Sequence, residues 1–310
     1  MELIKPNINI DFVGKIKFTV ILSWVLILIG IVSMIAKGGP RYGIDFKGGT
    51  LFQVKFSKPV SAGDIRQTIK ELDIESGSVQ NFGGEGDNEY LINIEKSIDD
   101  LEKFSDTFRD HFITKFGKDS FEIRRTEAVG PKVGKDLREK ALLAVALSCI
   151  GMLIYIWFRF EFRFGLGGIL GLVHDVLITM GALSLTNTPI DLSVVAALLT
   201  IVGYSINDTI IVCDRIRENM PKMTKKPLRE VINISVNQTL SRTILTVGTV
   251  LLATLSLYLF GGGVIRDFAF TMLIGTITGT YSSIFVACPV VIYWEKLFAK
   301  DKKGWVKRNM

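Results

Sequence analysis

Six stretches of this 310-residue chain are long and apolar enough to cross a bilayer as helices: 18–36, 141–158, 164–185, 190–212, 243–260 and 268–293. A span of about twenty residues covers the roughly 30 Å of hydrocarbon, so each run can pass through once. Between the first two lies one polar stretch, 37–140, which has room for a single modest soluble domain. Composition agrees, at 48% hydrophobic residues with a positive mean hydropathy. The first run begins only at Phe18 and lacks a small-x-small exit, so it is expected to stay in place as an anchor and not to be cleaved as a signal.

The net charge of +6 does not point to nucleic acid, because the basic residues flank apolar runs and do not gather with aromatics on one soluble face. Lys15 and Lys17 precede the first run, and Arg159 and Arg163 fill the second connection. Arg215, Arg217, Lys222, Lys225, Lys226, Arg229 and Arg242 fill the fourth, and Lys296 to Arg308 follow the sixth. The opposite short connections hold only Arg266. The positive-inside rule therefore predicts cytoplasmic termini (1–17 and 294–310), a cytoplasmic connector at 213–242 and an outer, periplasmic domain at 37–140. Within the connector, 227–238 is expected to form a short helix. Cys149, Cys213 and Cys288 have no CxxC partner, and no cluster suggests a metal, a cofactor or an enzyme.

The outer stretch alternates between period-2 and helical patterns. YGIDFKGGTLFQVKF (42–56) reads as a strand broken at Gly48-Gly49, and 61–72 as a helix whose N-terminal turn suits Ser61 and Asp64. Two strands, 78–82 and 89–95, are joined by the turn-forming GGEGDN at 83–88. An amphipathic helix at 98–116 presents Leu101, Phe104, Phe108 and Phe112 on one face, and 120–129 closes the set as a strand. The order β-α-β-β-α-β predicts a small α+β ferredoxin-like domain.

Polar residues inside the apolar runs are the candidates for function. An aspartate at the centre of a spanning helix costs about 3 kcal/mol, so Asp208, near one end of the fourth run, is expected to face protein or water and to have a task. Thr200, Tyr204 and Asp208 recur at four-residue spacing, with Asn207 beside the acid. On the fifth run Arg242, Thr246, Thr249, Ala253 and Ser256 form a similar stripe. Placing Asp208 about 6 Å inside its helix end brings Arg242 within reach, and a proton-dependent ion pair between them is the expectation. The alternative for Arg242 is an interfacial side chain snorkelling to headgroups.

The third run sets Gly168, Gly171, Asp175 and Ala182 on one face and adds His174. For His174-Asp175 a relay role and a structural role both stand. The sixth run carries Gly275, Thr276, Gly279, Thr280, Ser282 and Ser283, consistent with close packing or with a water path. An intramembrane aspartyl protease built on Asp175 and Asp208 is disfavoured. Counted from the predicted cytoplasmic ends the two differ in depth, at about 16 and 6 Å, and neither sits in Gly-x-Gly-Asp.

With these motifs assembled, the chain resembles the SecF branch of the SecD/SecF protein-export membrane proteins, in the resistance-nodulation-division (RND) superfamily. The resemblance rests on YGIDFKGGT, GLVHDV, VGYSINDTIIVCDRIREN, NQTLSRTILT, FGGGVIRDFAF and GTYSSIF, in that order across nearly the whole chain. It implies a six-helix half of an RND-type core completed by six helices of SecD. It also implies a bacterial inner-membrane location and work beside the SecYEG channel, with YajC and YidC as further associates. Proton motive force would drive outer-domain movements on translocating preprotein. The acid of that scheme corresponds to Asp208 and its partners to Arg242 and Thr246. Asp45, Phe46, Gly48 and Gly49 correspond to the family's outer motif. Alternatives are an RND-type lipid or small-molecule exporter half, and a passive scaffold for SecD.

Overall fold

A computed structural model describes residues 8–72, 76–82, 86, 88–94, 101–159 and 161–298. The first seven residues, the basic end 299–310, most of the 83–88 turn and the start of the 98–116 helix lie outside the described residues. In chain order the elements are α1 (Ile16–Ala36), α2 (Ile44–Lys47), β1 (Gly49–Phe56), α3 (Ala62–Lys70), β2 (Ser76–Phe82) and β3 (Glu89–Ile94). Next come α4 (Leu101–Phe116), β4 (Phe121–Val129), α5 (Pro131–Arg159), α6 (Phe162–Thr186) and α7 (Leu192–Lys222). The chain continues through α8 (Leu228–Phe260), α9 (Gly263–Ser282), a π-helical turn (Ser283–Ala287) and α10 (Cys288–Phe298). Six helical passes, the last made of α9, the π-turn and α10, are long and apolar enough to cross a membrane.

The domain between the first two passes is a four-stranded antiparallel sheet in the order β2-β3-β1-β4, the arrangement expected of a ferredoxin-like unit. Alternation along β1 turns Phe52, Val54 and Phe56 inward, where they meet Ile65 and Ile69 of α3 and Phe108 and Phe112 of α4. Phe108 stacks between Phe52 (4.3 Å between centroids) and Phe112 (4.1 Å). Each buried phenyl ring contributes about 2–3 kcal/mol, so this run of aromatics holds the domain together. Ser61 caps α3 by accepting from Asp64 N at 3.1 Å.

The stretch 42–56 departs from the strand expected of it. Ile44–Lys47 winds into the single turn α2, and β1 starts only at Gly49. Two glycines in the left-handed region make the change of direction, Gly48 at φ +79° and Gly49 at φ +137°. A Cβ on Gly48 would stand 2.9 Å from Pro131 Cα, so the glycine also lets β1 lie against the start of α5. The turn points Asp45 at the first amide of α7, where Oδ2 accepts from Leu192 N at 3.0 Å. Beside it Gly43 N donates to Ile190 O and Ile190 N donates to Arg41 O, both at 2.7 Å.

Within the membrane the passes divide into two classes. Half of the apolar window is buried in α6, α7 and the α9–α10 pass, against 17% in α1, 6% in α5 and 17% in α8. The first three therefore form the centre and the others its rim. Glycines permit the close approach: a Cβ on Gly275 would strike Ile201 of α7, and one on Gly279 would lie 3.1 Å from Ser205 Cβ. Lys37, just past α1, donates from Nζ to Ser184 O and to Asn187 Oδ1 (2.8 Å), closing the C-terminal end of α6.

The expected connector at 213–242 is not a loop with a short helix. Helix α7 continues to Lys222 and α8 begins at Leu228, leaving 223–227 as the link. Polar residues ended the apolar run without ending the helix, which stops beyond Pro221 and restarts after Pro227. At 31 residues α7 is about 46 Å long, well over the hydrocarbon thickness.

Candidate ion-coupling site in the membrane core

Asp208 lies on α7 where that helix meets α8 and the π-turn, and it is 3% exposed. Its Oδ1 accepts from Thr243 Oγ1 and its Oδ2 from Ser283 Oγ, each at 3.0 Å. Both partners are neutral hydroxyls. Among the described residues Asp208 makes no ion pair.

The expected Asp208–Arg242 pair is not formed in this arrangement. Arg242 is exposed, because it precedes Thr243 on α8 and successive residues point about 100° apart. Turning Thr243 onto the acid turns the arginine away. Thr246 is exposed too, and its hydroxyl is engaged by its own helix, donating to Arg242 O (2.9 Å) or Thr243 O (3.1 Å). Asn207 faces outward. Tyr204, one turn from the acid, has its Oη buried with no hydrogen-bond partner among the described residues. Thr280 is half-buried and donates to Thr276 O at 2.9 Å.

Asp175 is fully buried on α6 and accepts from three donors. His174 Nδ1 lies 3.0 Å from Oδ1, while Ser205 Oγ (2.5 Å) and Ser282 Oγ (2.8 Å) donate to Oδ2. His174 Nε2 meets Ser23 Oγ of α1 at 3.0 Å, Ser23 meets Tyr281 Oη at 3.0 Å, and Tyr281 donates to Thr19 O at 2.5 Å. Five polar side chains from four elements thus surround one carboxylate. Gly171 makes room for Ser282, whose Oγ would lie 3.5 Å from a Cβ placed there.

The depth difference read from the predicted helix ends does not hold. Ser205, less than one turn from Asp208 on α7, reaches Asp175, so the two acids occupy neighbouring levels. Each carboxylate nevertheless has its own set of donors, unlike a dyad sharing one proton. Ser23, Ser205 and Thr243 had no sequence signal beyond being hydroxyls in apolar runs. Ser282 and Ser283 were visible as polar positions, but nothing in the pattern assigned each to an acid. Asp45, Phe46, Gly48 and Gly49 lie apart from this centre, at the junction of the sheet domain with α5 and α7, where Phe46 is buried with Leu183, Ile190 and Val194.

Residues 110–297 match the family described as protein export membrane protein SecD/SecF, C-terminal, and residues 33–60 match the SecD/SecF GG motif. The chain belongs to the SecD/SecF family. It is 47% identical to the protein translocase subunit SecF of Calditerrivibrio nitroreducens, over 94% of this chain and 96% of that one. With the SecF of Magnetococcus marinus it shares 46% identity, over 94% of each chain. Among solved structures it resembles SecDF of Thermus thermophilus with a TM-score of 0.84 and 35% identity, covering 95% of this chain. A SecDF structure in a super-membrane-facing form gives 0.71 and 34% over 98% of this chain. The chain spans 40% and 41% of those two solved chains. Family membership and six apolar passes make this a multi-pass protein of the bacterial inner membrane, and its relatives are named for transport and not for catalysis.

Proposed function

We propose that the chain is the SecF-type subunit of a SecD–SecF complex, assisting preprotein movement through the SecYEG channel by letting a cation, taken here as the proton, load and leave Asp208. The SecF relatives and the likeness to SecDF support the assembly, in which SecD supplies the other six helices and YajC and YidC are further associates. Lys and Arg concentrated at one set of helix ends support cytoplasmic termini and a periplasmic 37–140 domain. The observation that carries the coupling is the setting of Asp208, a carboxyl group inside the membrane core held by two neutral hydroxyls and by no counter-charge. A bare charge there is costly, so ionisation goes with a second arrangement in which water or a cation reaches the group.

Arg242 fits that second arrangement. A turn of α8 about its axis would exchange Thr243 for Arg242 at the acid, and the guanidinium would displace the proton. Export in inverted membrane vesicles tests the reading. Asp208→Asn is expected to leave assembly with SecD intact and to abolish the gradient-dependent part of preprotein export. Unchanged export would leave the chain a scaffold for SecD.

A further inference from the structure

The two buried acids are joined by consecutive residues. Ser282 donates to Asp175 Oδ2 at 2.8 Å, and Ser283, the next residue, donates to Asp208 Oδ2 at 3.0 Å. A second tie runs along α7, where Ser205 serves Asp175 less than one turn from Asp208. Ser283 opens the π-helical turn Ser283–Ala287, a rare geometry that recurs at functional sites and leaves backbone carbonyls less regularly paired. Each hydroxyl also has a second acceptor in the preceding turn, Gly279 O at 3.1 Å for Ser282 and Thr280 O at 2.9 Å for Ser283. A hydroxyl has one proton to give, so each serine chooses between a carboxylate and a carbonyl.

The geometry points to Asp175 and Asp208 acting as one coupled proton-holding unit, with His174–Asp175 as its second site and Ser282–Ser283 as the positioning residues that link them. This rests on the reading that Asp208 takes up a proton. On arrival at Oδ2 the proton makes a new O–H that donates to Ser283 Oγ, and the Ser283 hydroxyl turns to Thr280 O. Departure of the same proton reverses both steps. Reorientation at Ser283 is felt by Ser282, the residue before it, whose donation to Asp175 competes with Gly279 O. His174 holds the other side of Asp175 through Nδ1 throughout, so no second proton is required.

The titratable groups around the pair are few. Helix α6 contributes His174 and Asp175 themselves, α7 contributes Tyr204 and Cys213, α9 contributes Tyr281, and α10 contributes Cys288. Helix α1 offers Ser23 and α8 offers Thr243, both hydroxyls. Among the described residues no Lys or Arg is paired with either acid, so a charge on one is felt by the other as repulsion and is stabilised chiefly by the hydroxyls and by His174.

Infrared difference spectroscopy of the full chain with its SecD partner in lipid bilayers, following the protonated-carboxyl band against pH, tests this. Asp208→Asn is expected to remove one titrating band, which identifies it. Asp175→Asn should move the midpoint of that band by about one pH unit or more, the size at which two sites titrate as a pair. In a background of Ser282→Ala with Ser283→Ala the same Asp175→Asn change should no longer move it. Ser282→Thr with Ser283→Thr, which keeps both hydroxyls, should restore the shift and guards against simple misfolding. A midpoint indifferent to Asp175→Asn, or a shift that survives loss of both hydroxyls, overturns the linkage while leaving proton uptake at Asp208 standing. Absence of any band lost in Asp208→Asn overturns proton uptake itself, and the linkage with it.

Discussion

Gly30 of α1 and Gly181 of α6 meet backbone to backbone: a Cβ on the first would stand 2.7 Å from the second's Cα, and the reverse contact would be 2.8 Å. Two turns further along both helices, the same approach brings Ser23 Oγ to His174 Nε2. Gly181→Val is therefore expected to push α1 from α6, lowering stability by about 1–3 kcal/mol and breaking the Ser23–His174 contact. Thermal unfolding in lipid, with disulfide crosslinking of cysteines placed across α1 and α6, would measure both. Gly248→Ala, where an added Cβ meets nothing within 4 Å, serves as the control and should be neutral or slightly stabilising.

Thr243 gives Asp208 one of its two donors. Thr243→Val keeps the shape and removes the hydroxyl, and hydrogen bonds to charged groups are worth about 1.5–3 kcal/mol, so gradient-dependent export should fall roughly tenfold or more. Thr243→Ser should retain most of it. Equal export from the two variants would show that this hydroxyl is not used.

Arg242 separates stability from turnover. Because it forms no ion pair with Asp208 here, Arg242→Ala should leave the unfolding free energy within about 0.5 kcal/mol of the parent, as surface changes do. Export should drop sharply, and Arg242→Lys should recover part of it, since a charge is kept but the planar fork is lost. Negligible effects of both on export would return Arg242 to a headgroup contact.

In the sheet domain, Glu71 at the end of α3 accepts from Lys115 Nζ of α4 at 2.7 Å, with His111 at 3.6 Å. The hydrogen bond from Lys115 leads the effects that hold its carboxyl below the ordinary value of 4.5. A carboxyl lowered by folding stabilises the fold once ionised, above about pH 4.5, and loses that contribution as pH falls through its folded value. The protection factor of the α3–α4 amides, their exchange measured against the intrinsic rate at each pH, should fall on acidification below that point. Glu71→Gln should flatten the response, by a small amount because the pair is solvent-exposed.

Much of this architecture was legible in the amino-acid order. The six apolar runs, the β-α-β-β-α-β sequence and the Ser61 cap all follow from local pattern, and Asp208 stood out because a charge in an apolar run is costly. What pattern could not give was the direction of side chains between helices. A helix that continues past the lipid looks polar, so the apolar runs end at 212 and begin at 243 although α7 reaches Lys222 and α8 starts at Leu228, with Arg242 well inside it. Facing Asp208 with Thr243 instead of Arg242 depends on the rotation of α8, which only packing against α7 and α9 decides. The allotment of Ser282 to one acid and Ser283 to the other depends on the π-turn, and the sequence has no periodic signature for an extra residue in one turn.

Asp45 grips the first amide of α7, and sixteen residues later, roughly 24 Å along the same unbroken rod, sits the buried carboxyl group of Asp208. A helix barely stretches, so a nudge at one end arrives at the other nearly undiminished. The Asp45 clasp and the buried carboxyl group are thus two ends of a single push-rod, and it is through that clasp that a shift of the helix would reach the sheet domain.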